Sequence, residues 1–232
     1  MLTKKKKLSK KEIKEDKLVS LMVKVENFYE DFKSKIILYG GILVVAVLAA
    51  YFYVNQQKAA NEEAGLHMSR VMQIFDSGSY LEAIEGRQGT SIIGLKRVVE
   101  EFGSTNNGET AKIYLASAYS YLGNYEEAFK YYESYSGSIE IYKASALAGM
   151  AGYFAVKKDY QRAADLYKEA AGVAEVNAQN PDYLLDAAVN YYNTGDTEES
   201  KILLEKIKED YATSEARKQV DKYLALVEKN NL

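Results

Sequence analysis

The 232-residue chain contains no cysteine, one histidine and one proline. Without cysteine there is no disulfide framework, no thiolate nucleophile, no Cys-ligated zinc and no iron–sulfur cluster. With His67 as the single imidazole, most nucleophilic and acid–base arrangements lose a member. One proline and 15 glycines exclude collagen-like and proline-rich linker proteins, while 47% hydrophobic residues exclude a disordered chain. Charge is also lacking from residues 36–54, which run from Ile36 to Val54 without an Asp, Glu, Lys or Arg.

At about 1.5 Å per helical residue, those 19 residues reach the thickness of a bilayer core, so they predict a single transmembrane helix. Lys33 and Lys35 close one end, and Tyr51, Phe52 and Tyr53 mark the other with rings suited to a headgroup region. The charge around this span is lopsided. Residues 1–35 hold eleven Lys against six acids, net +5, whereas the rest of the chain carries −8 within a total of −3. Lysines from Lys4 to Lys17, with Lys24, Lys33 and Lys35, precede the span, and only Lys58 follows it closely. Basic residues stay on the cytoplasmic side, so an uncleaved anchor with its N-terminus inside is expected. Residues 1–35 are then a cytoplasmic arm, ending in an amphipathic juxtamembrane helix with Leu18, Leu21, Met22, Val25, Tyr29 and Phe32 on one stripe. That stripe suits either the membrane interface or a partner's loops.

Beyond the span, residues 55–75 keep helical composition and are expected to form a stalk. A motif then recurs: a turn, a Tyr or Thr, and a small residue three positions later. It appears as Gly78-Ser79-Tyr80 with Ala83, Gly123-Asn124-Tyr125 with Ala128, Lys158-Asp159-Tyr160 with Ala163, and Gly195-Asp196-Thr197 with Ser200. The intervals of 45, 35 and 37 residues predict stacked helical hairpins over residues 76–213, the long first interval leaving open whether residues 76–108 make a full repeat. Residues 214–232, with Ala216, Val220, Leu224 and Val227 on one face, predict a capping helix. The fold class expected is all-α, a transmembrane helix followed by a solenoid.

Other motifs have plain structural readings. His67 has only Glu62 and Glu63 near it in sequence and is expected on the surface rather than in a metal site. Residues 103–108 lack the Lys-Ser or Lys-Thr of a phosphate loop and read as a helix connector. The pairs Glu62-Glu63, Glu100-Glu101, Glu126-Glu127 and Glu198-Glu199 are expected next to turns or helix starts, where carboxylates favour the positive helix end or stay solvated. No enzyme activity, cofactor or metal is expected, and the acidic outer part argues against nucleic acid. Tyrosine is abundant, 21 residues. Tyr119, Tyr125, Tyr132, Tyr160, Tyr167 and Tyr191 fit a packing framework, whereas Tyr114, Tyr121, Tyr131, Tyr135, Tyr142, Tyr153, Tyr183 and Tyr192 fall outside it and are available as contact area.

The stretch Leu115-Ala116, Tyr119, Gly123-Asn124-Tyr125, Ala128, Tyr132 resembles a tetratricopeptide repeat, as do Met150-Ala151, Phe154, Asp159-Tyr160, Ala163, Tyr167 and Ala187-Ala188, Tyr191, Gly195-Asp196, Leu204. The usual tryptophan and closing proline of that family are absent, and Thr197 and Ser200 depart from its aromatic and alanine. The resemblance implies a protein-binding groove lined by Ile113, Ser117 and Tyr121, then Ala148, Gly152 and Val156, then Leu185, Val189 and Asn193. This set has no Lys or Arg clamp for a C-terminal carboxylate. The order of arm, anchor and repeats, with the run from Gly94 to Thr105, resembles the YfgM-type ancillary subunits of the Sec translocon. That resemblance implies a bacterial inner-membrane protein with periplasmic repeats and, as partners, translocon subunits, periplasmic chaperones or unfolded clients. A scaffold of a cell-wall or envelope assembly complex accounts for the same features.

Overall fold

The structure, a computed structural model, describes residues 10–230, with Lys4 to Lys7 of the basic arm outside the described residues. It contains ten helices among the described residues: α1 (Lys10–Asp76), α2 (Tyr80–Glu85), α3 (Leu95–Phe102), α4 (Asn106–Tyr121), α5 (Tyr125–Glu133), α6 (Glu140–Val156), α7 (Tyr160–Val173), α8 (Asn180–Thr194), α9 (Thr197–Asp210) and α10 (Arg217–Asn230). No strand forms among the described residues, and the single bridge pairs Gly86 with Ile93. Two compact units divide at Gln56 and Gln57.

In the first unit, α1 is long and apolar enough to cross a membrane, and its apolar window is wholly exposed. Leu21, Met22, Val25, Tyr29 and Phe32 are exposed as well, with Phe28 and Phe32 in ring contact at 4.9 Å.

In the second unit, the helices from α3 onward pack chiefly on their neighbours in sequence, α2 packing on both α3 and α4, α4 also touching α6 and α10 touching α8. This is the contact pattern of stacked hairpins, in which each pair closes the apolar face of the one before. The segment expected as a stalk does more than extend the anchor. From Gln57 the chain belongs to the repeat unit, and Ala64, Met68, Val71 and Ile74 are buried with Ala83, Ile84, Leu95, Val98 and Leu115. Their spacing puts them on one helical face, so the end of α1 serves as the first helix of the first hairpin. Asn61 holds it against α4, accepting from the Asn107 amide N–H at 2.8 Å and, through its carbonyl, from Asn107 Nδ2 at 2.8 Å. The long first interval is a split partner helix: α2 and α3 are separated by the bridged loop at Gly86 and Ile93.

Four turns share one geometry. At Gly78, Gly123, Lys158 and Gly195 φ is positive, 80°, 78°, 63° and 91°. The following amide reaches five residues back, as Ser79 to Ile74, Asn124 to Tyr119, Asp159 to Phe154 and Asp196 to Tyr191, at 2.9–3.3 Å. This is a Schellman ending, which satisfies the last carbonyls of one helix and reverses the chain into the next. The small residues after each turn, Ala83, Ala128, Ala163 and Ser200, are all buried. Asp159 and Asp196 then accept from the backbone N–H three residues on, capping α7 and α9.

At the far end, Ala216, Val220 and Val227 of the α10 region are buried with Leu203, Leu204 and Ile207 of α9. Thr105 caps α4 through its Oγ1 to the Gly108 amide at 3.0 Å, so residues 103–108 form a connector. His67 is half-buried rather than on the surface, stacked on Phe102 with ring centres 5.9 Å apart. The apolar face that Phe102 presents there draws the imidazole inward.

Candidate functional site

Hairpin stacking leaves a cavity of about 500 Å³ between α4/α5 and α6/α7. Ser117, Ser120 and Tyr121 enter it from α4, Tyr125, Ala128 and Tyr132 from α5, Ala148, Gly149, Gly152, Tyr153, Ala155 and Val156 from α6, and Tyr167 from α7. The cavity exists because α6 presents small residues. A Cβ at Gly149 would come 2.2 Å from the Tyr132 ring, and one at Gly152 would come 3.4 Å from Tyr167 Oη. Tyrosines from the preceding helices lie over these bare stretches of backbone. The Tyr132 hydroxyl is 3.1 Å from Ser117 Oγ, which itself donates to the Ile113 carbonyl at 2.9 Å. Burial raises the pKa of the Tyr132 hydroxyl, outweighing its hydroxyl partners, and burial likewise raises that of Tyr167. These phenols are neutral hydrogen-bonding groups across the physiological range.

An aromatic ladder continues from the cavity towards the first hairpin. Tyr80 stacks on Tyr121 at 4.4 Å, Phe75 meets Tyr80, Tyr114 and Tyr121 edge-on at 5.3, 5.4 and 6.3 Å, and Tyr114 meets Tyr142 at 6.2 Å. Burial pushes the Tyr114 hydroxyl up to about 12, assisted by Tyr142 and the Asp76 charge. Tyr121 remains exposed. At the opposite edge, Lys157 lies over the Tyr153 ring and pairs with Glu126 at 2.5 Å, an ion pair across the two hairpins.

Of the residues expected to line a groove, Ser117, Tyr121, Ala148, Gly152 and Val156 come together in the cavity. Ile113 is buried with Ala116, Ala128 and Tyr132, and Leu185 is buried with Leu184 and Ala188, so both serve packing. Val189 is half-buried against the same cluster, and Asn193 is exposed on α8. Tyr125, assigned to packing by its repeat position, is exposed and lines the cavity, whereas Tyr183, taken as available surface, is buried. Phase within the helix decides both: Tyr183 shares a face with Ala187 and buried neighbours, and Tyr125 starts α5 where no helix covers it. Phe75 and Tyr80 of the ladder had no signal except the turn that separates them. Among the described residues, no group of three or more His, Asp and Glu side chains is placed to hold a metal ion.

Repeated two-helix units, a small residue at each crossing and an aromatic-lined cavity on the first helices define a tetratricopeptide-like solenoid. Residues 182–214 match the family model described as tetratricopeptide repeat, which covers the α8/α9 hairpin. Among solved structures, the fold is similar to nearly identical TPR-like repeats of a kinesin light chain from Podosopora anserina, with a TM-score of 0.56 and 16% identity over 74% of this chain and 88% of that one. A single-substitution variant of those repeats gives the same TM-score and identity, with 87% of its chain covered. No curated protein matches this chain.

Proposed function

We propose that the protein is a non-enzymatic, membrane-anchored scaffold that binds other proteins through its repeat unit and joins the Sec translocon of a bacterial inner membrane to periplasmic chaperones or emerging clients. The observation that carries the binding role is the cavity of about 500 Å³ walled by Tyr121, Tyr125, Tyr132, Tyr153 and Tyr167. Tyrosine gives rigid contact area with a hydrogen-bonding tip, and small α6 residues let a backbone approach closely, which suits an extended or helical segment. The anchor reading rests on the uncharged run from Ile36 to Val54, and the inward N-terminus on the preceding lysines. The link to the translocon rests on the resemblance in the order of parts.

Photocrosslinkers at Tyr121 and Val156, used in cells and followed by mass spectrometry, test the reading. Channel subunits and secretory clients are the expected products. Recovery of cell-wall synthases instead would move the scaffold to envelope assembly, and crosslinks to no protein would remove the scaffold role.

A further inference from the structure

Among the described residues, one carboxylate beside the tyrosine-lined groove forms no ion pair. Asp186 lies on α8 at the place that Gly149 occupies on α6, since Ala151 and Ala188 are equivalent and 37 residues apart. Gly149 meets the Tyr132 ring and Gly152 lies 3.4 Å from the Tyr167 hydroxyl, so the repeat register, with Tyr167 the counterpart of Tyr132, places Asp186 next to Tyr167, a wall residue of the cavity that Asp186 itself does not line. Its charge acts on the Tyr167 and Tyr183 hydroxyls. No ion pair forms at Asp186 or at Asp182 one turn earlier among the described residues, although Glu109, Glu126, Glu127 and Glu199 all hold lysines.

Resting on the reading that the groove binds polypeptide, we infer that it selects segments carrying a basic residue, the Lys or Arg charge of the bound chain meeting the Asp186 carboxylate while its methylene stem lies along Tyr167. The chemistry is complementary on both counts. A tyrosine face attracts a cation and accepts an aliphatic stem, and the cavity lining has no Lys or Arg to repel one. Asp186 opens to solvent on one side, so a ligand reaches it. Loss of solvation, then the Asp182 charge, pushes its pKa up to about 6, and an approaching cation would relieve both. The titratable groups that feel the Asp186 charge or act on it are Tyr167 from α7 and Asp182 and Tyr183 from α8. The phenols stay neutral over this range, and Asp186, with its pKa pushed up to about 6, changes charge within it.

The test uses the full chain in lipid nanodiscs and three fluorescent 15-residue peptides of Leu, Ser and Ala that differ only in a central Lys, Gln or Glu. The Lys peptide is expected to bind about 3- to 10-fold more tightly than the Gln peptide at pH 7.5, the Glu peptide more weakly than both, and the Lys preference should fall towards pH 5 as Asp186 protonates. Asp186→Asn should remove the preference and its pH dependence while leaving Gln-peptide binding intact, and Asp186→Glu should restore part of it. Equal binding of all three peptides overturns the selectivity and leaves the polypeptide-binding groove standing. A Lys preference that survives in Asp186→Asn overturns the assignment to Asp186. Failure of every peptide to bind removes the groove reading and the inference with it.

Discussion

Among the four turns, Lys158 is the one non-glycine residue held at positive φ, 63°, where Gly78, Gly123 and Gly195 stand in the others. A Cβ in that conformation costs on the order of 1 kcal/mol, so Lys158→Gly should stabilise the repeat unit by about that amount in urea unfolding of residues 57–232. The buried alanines act in the opposite sense. Ala128 and Ala163 are 2% and 0% exposed at helix crossings, and enlarging either to Leu should cost roughly 1–3 kcal/mol. Glu126→Ala and Glu127→Ala, which break only exposed pairs with Lys157 and Lys130, should stay within about 0.5 kcal/mol in the same assay. Glu109 differs from both because it is largely covered. Burial alone would raise its pKa, but hydrogen bonds from Lys112 at 2.7 Å and from the Ser136 amide and hydroxyl at 2.9 and 2.8 Å outweigh burial and hold it below its ordinary value. A depressed carboxylate stabilises the fold above its unfolded pKa, near 4.3, and that contribution is lost as pH falls through the lower folded value. The protection of the α5–α6 connector against hydrogen exchange, taken relative to the intrinsic rate at each pH, should therefore fall on acidification below about pH 4.3, and Glu109→Gln should lower it already at pH 7 with a loss of about 1–3 kcal/mol.

Elements were legible in the sequence where a local rule governs them. The four turns and the following small residues announce themselves, because a Schellman ending needs a residue tolerant of positive φ and a helix crossing needs a short side chain. All-α architecture and the capping helix follow from the same periodicity. Residues 57–76 were harder to place: their buried set, Ala64, Met68, Val71 and Ile74, is a normal core stripe, but it runs on from the anchor without a breaker. The candidate site was legible in half. Ser117, Gly152 and Val156 follow from repeat register, whereas Phe75 and Tyr80 reach Tyr121 from more than 40 residues away through stacking that no local pattern encodes. Close backbone contacts between elements were equally hidden. At Gly108, where α3 hands over to α4, an added Cβ would lie 1.8 Å from the Phe102 carbonyl oxygen, whereas at Gly172 on α7 it would meet nothing within 4 Å. Gly108→Ala should accordingly destabilise the repeat unit, while Gly172→Ala should stabilise it by about 0.5–1 kcal/mol through helix propensity alone. Thermal melts of the two variants side by side give the comparison.

For the whole molecule, the charge distribution carries the prediction. Replacing Lys33 and Lys35 alone should leave orientation largely intact, since nine lysines precede them, whereas neutralising Lys4 to Lys17 as well should give mixed insertion. Protease protection in vesicles of known sidedness reads the outcome, and a repeat unit found on the cytoplasmic side in the native protein would overturn the periplasmic assignment. The stacked Tyr80 and Tyr121 rings have a spectroscopic consequence. The chain has no tryptophan, so its near-ultraviolet circular dichroism and intrinsic emission come from tyrosine and phenylalanine, and a pair of rings 4.4 Å apart and nearly parallel is an excitonically coupled chromophore at the mouth of the groove. A segment that wedges between those rings would dim that coupled signal without any label attached to either partner, so the protein carries its own optical gauge of occupancy.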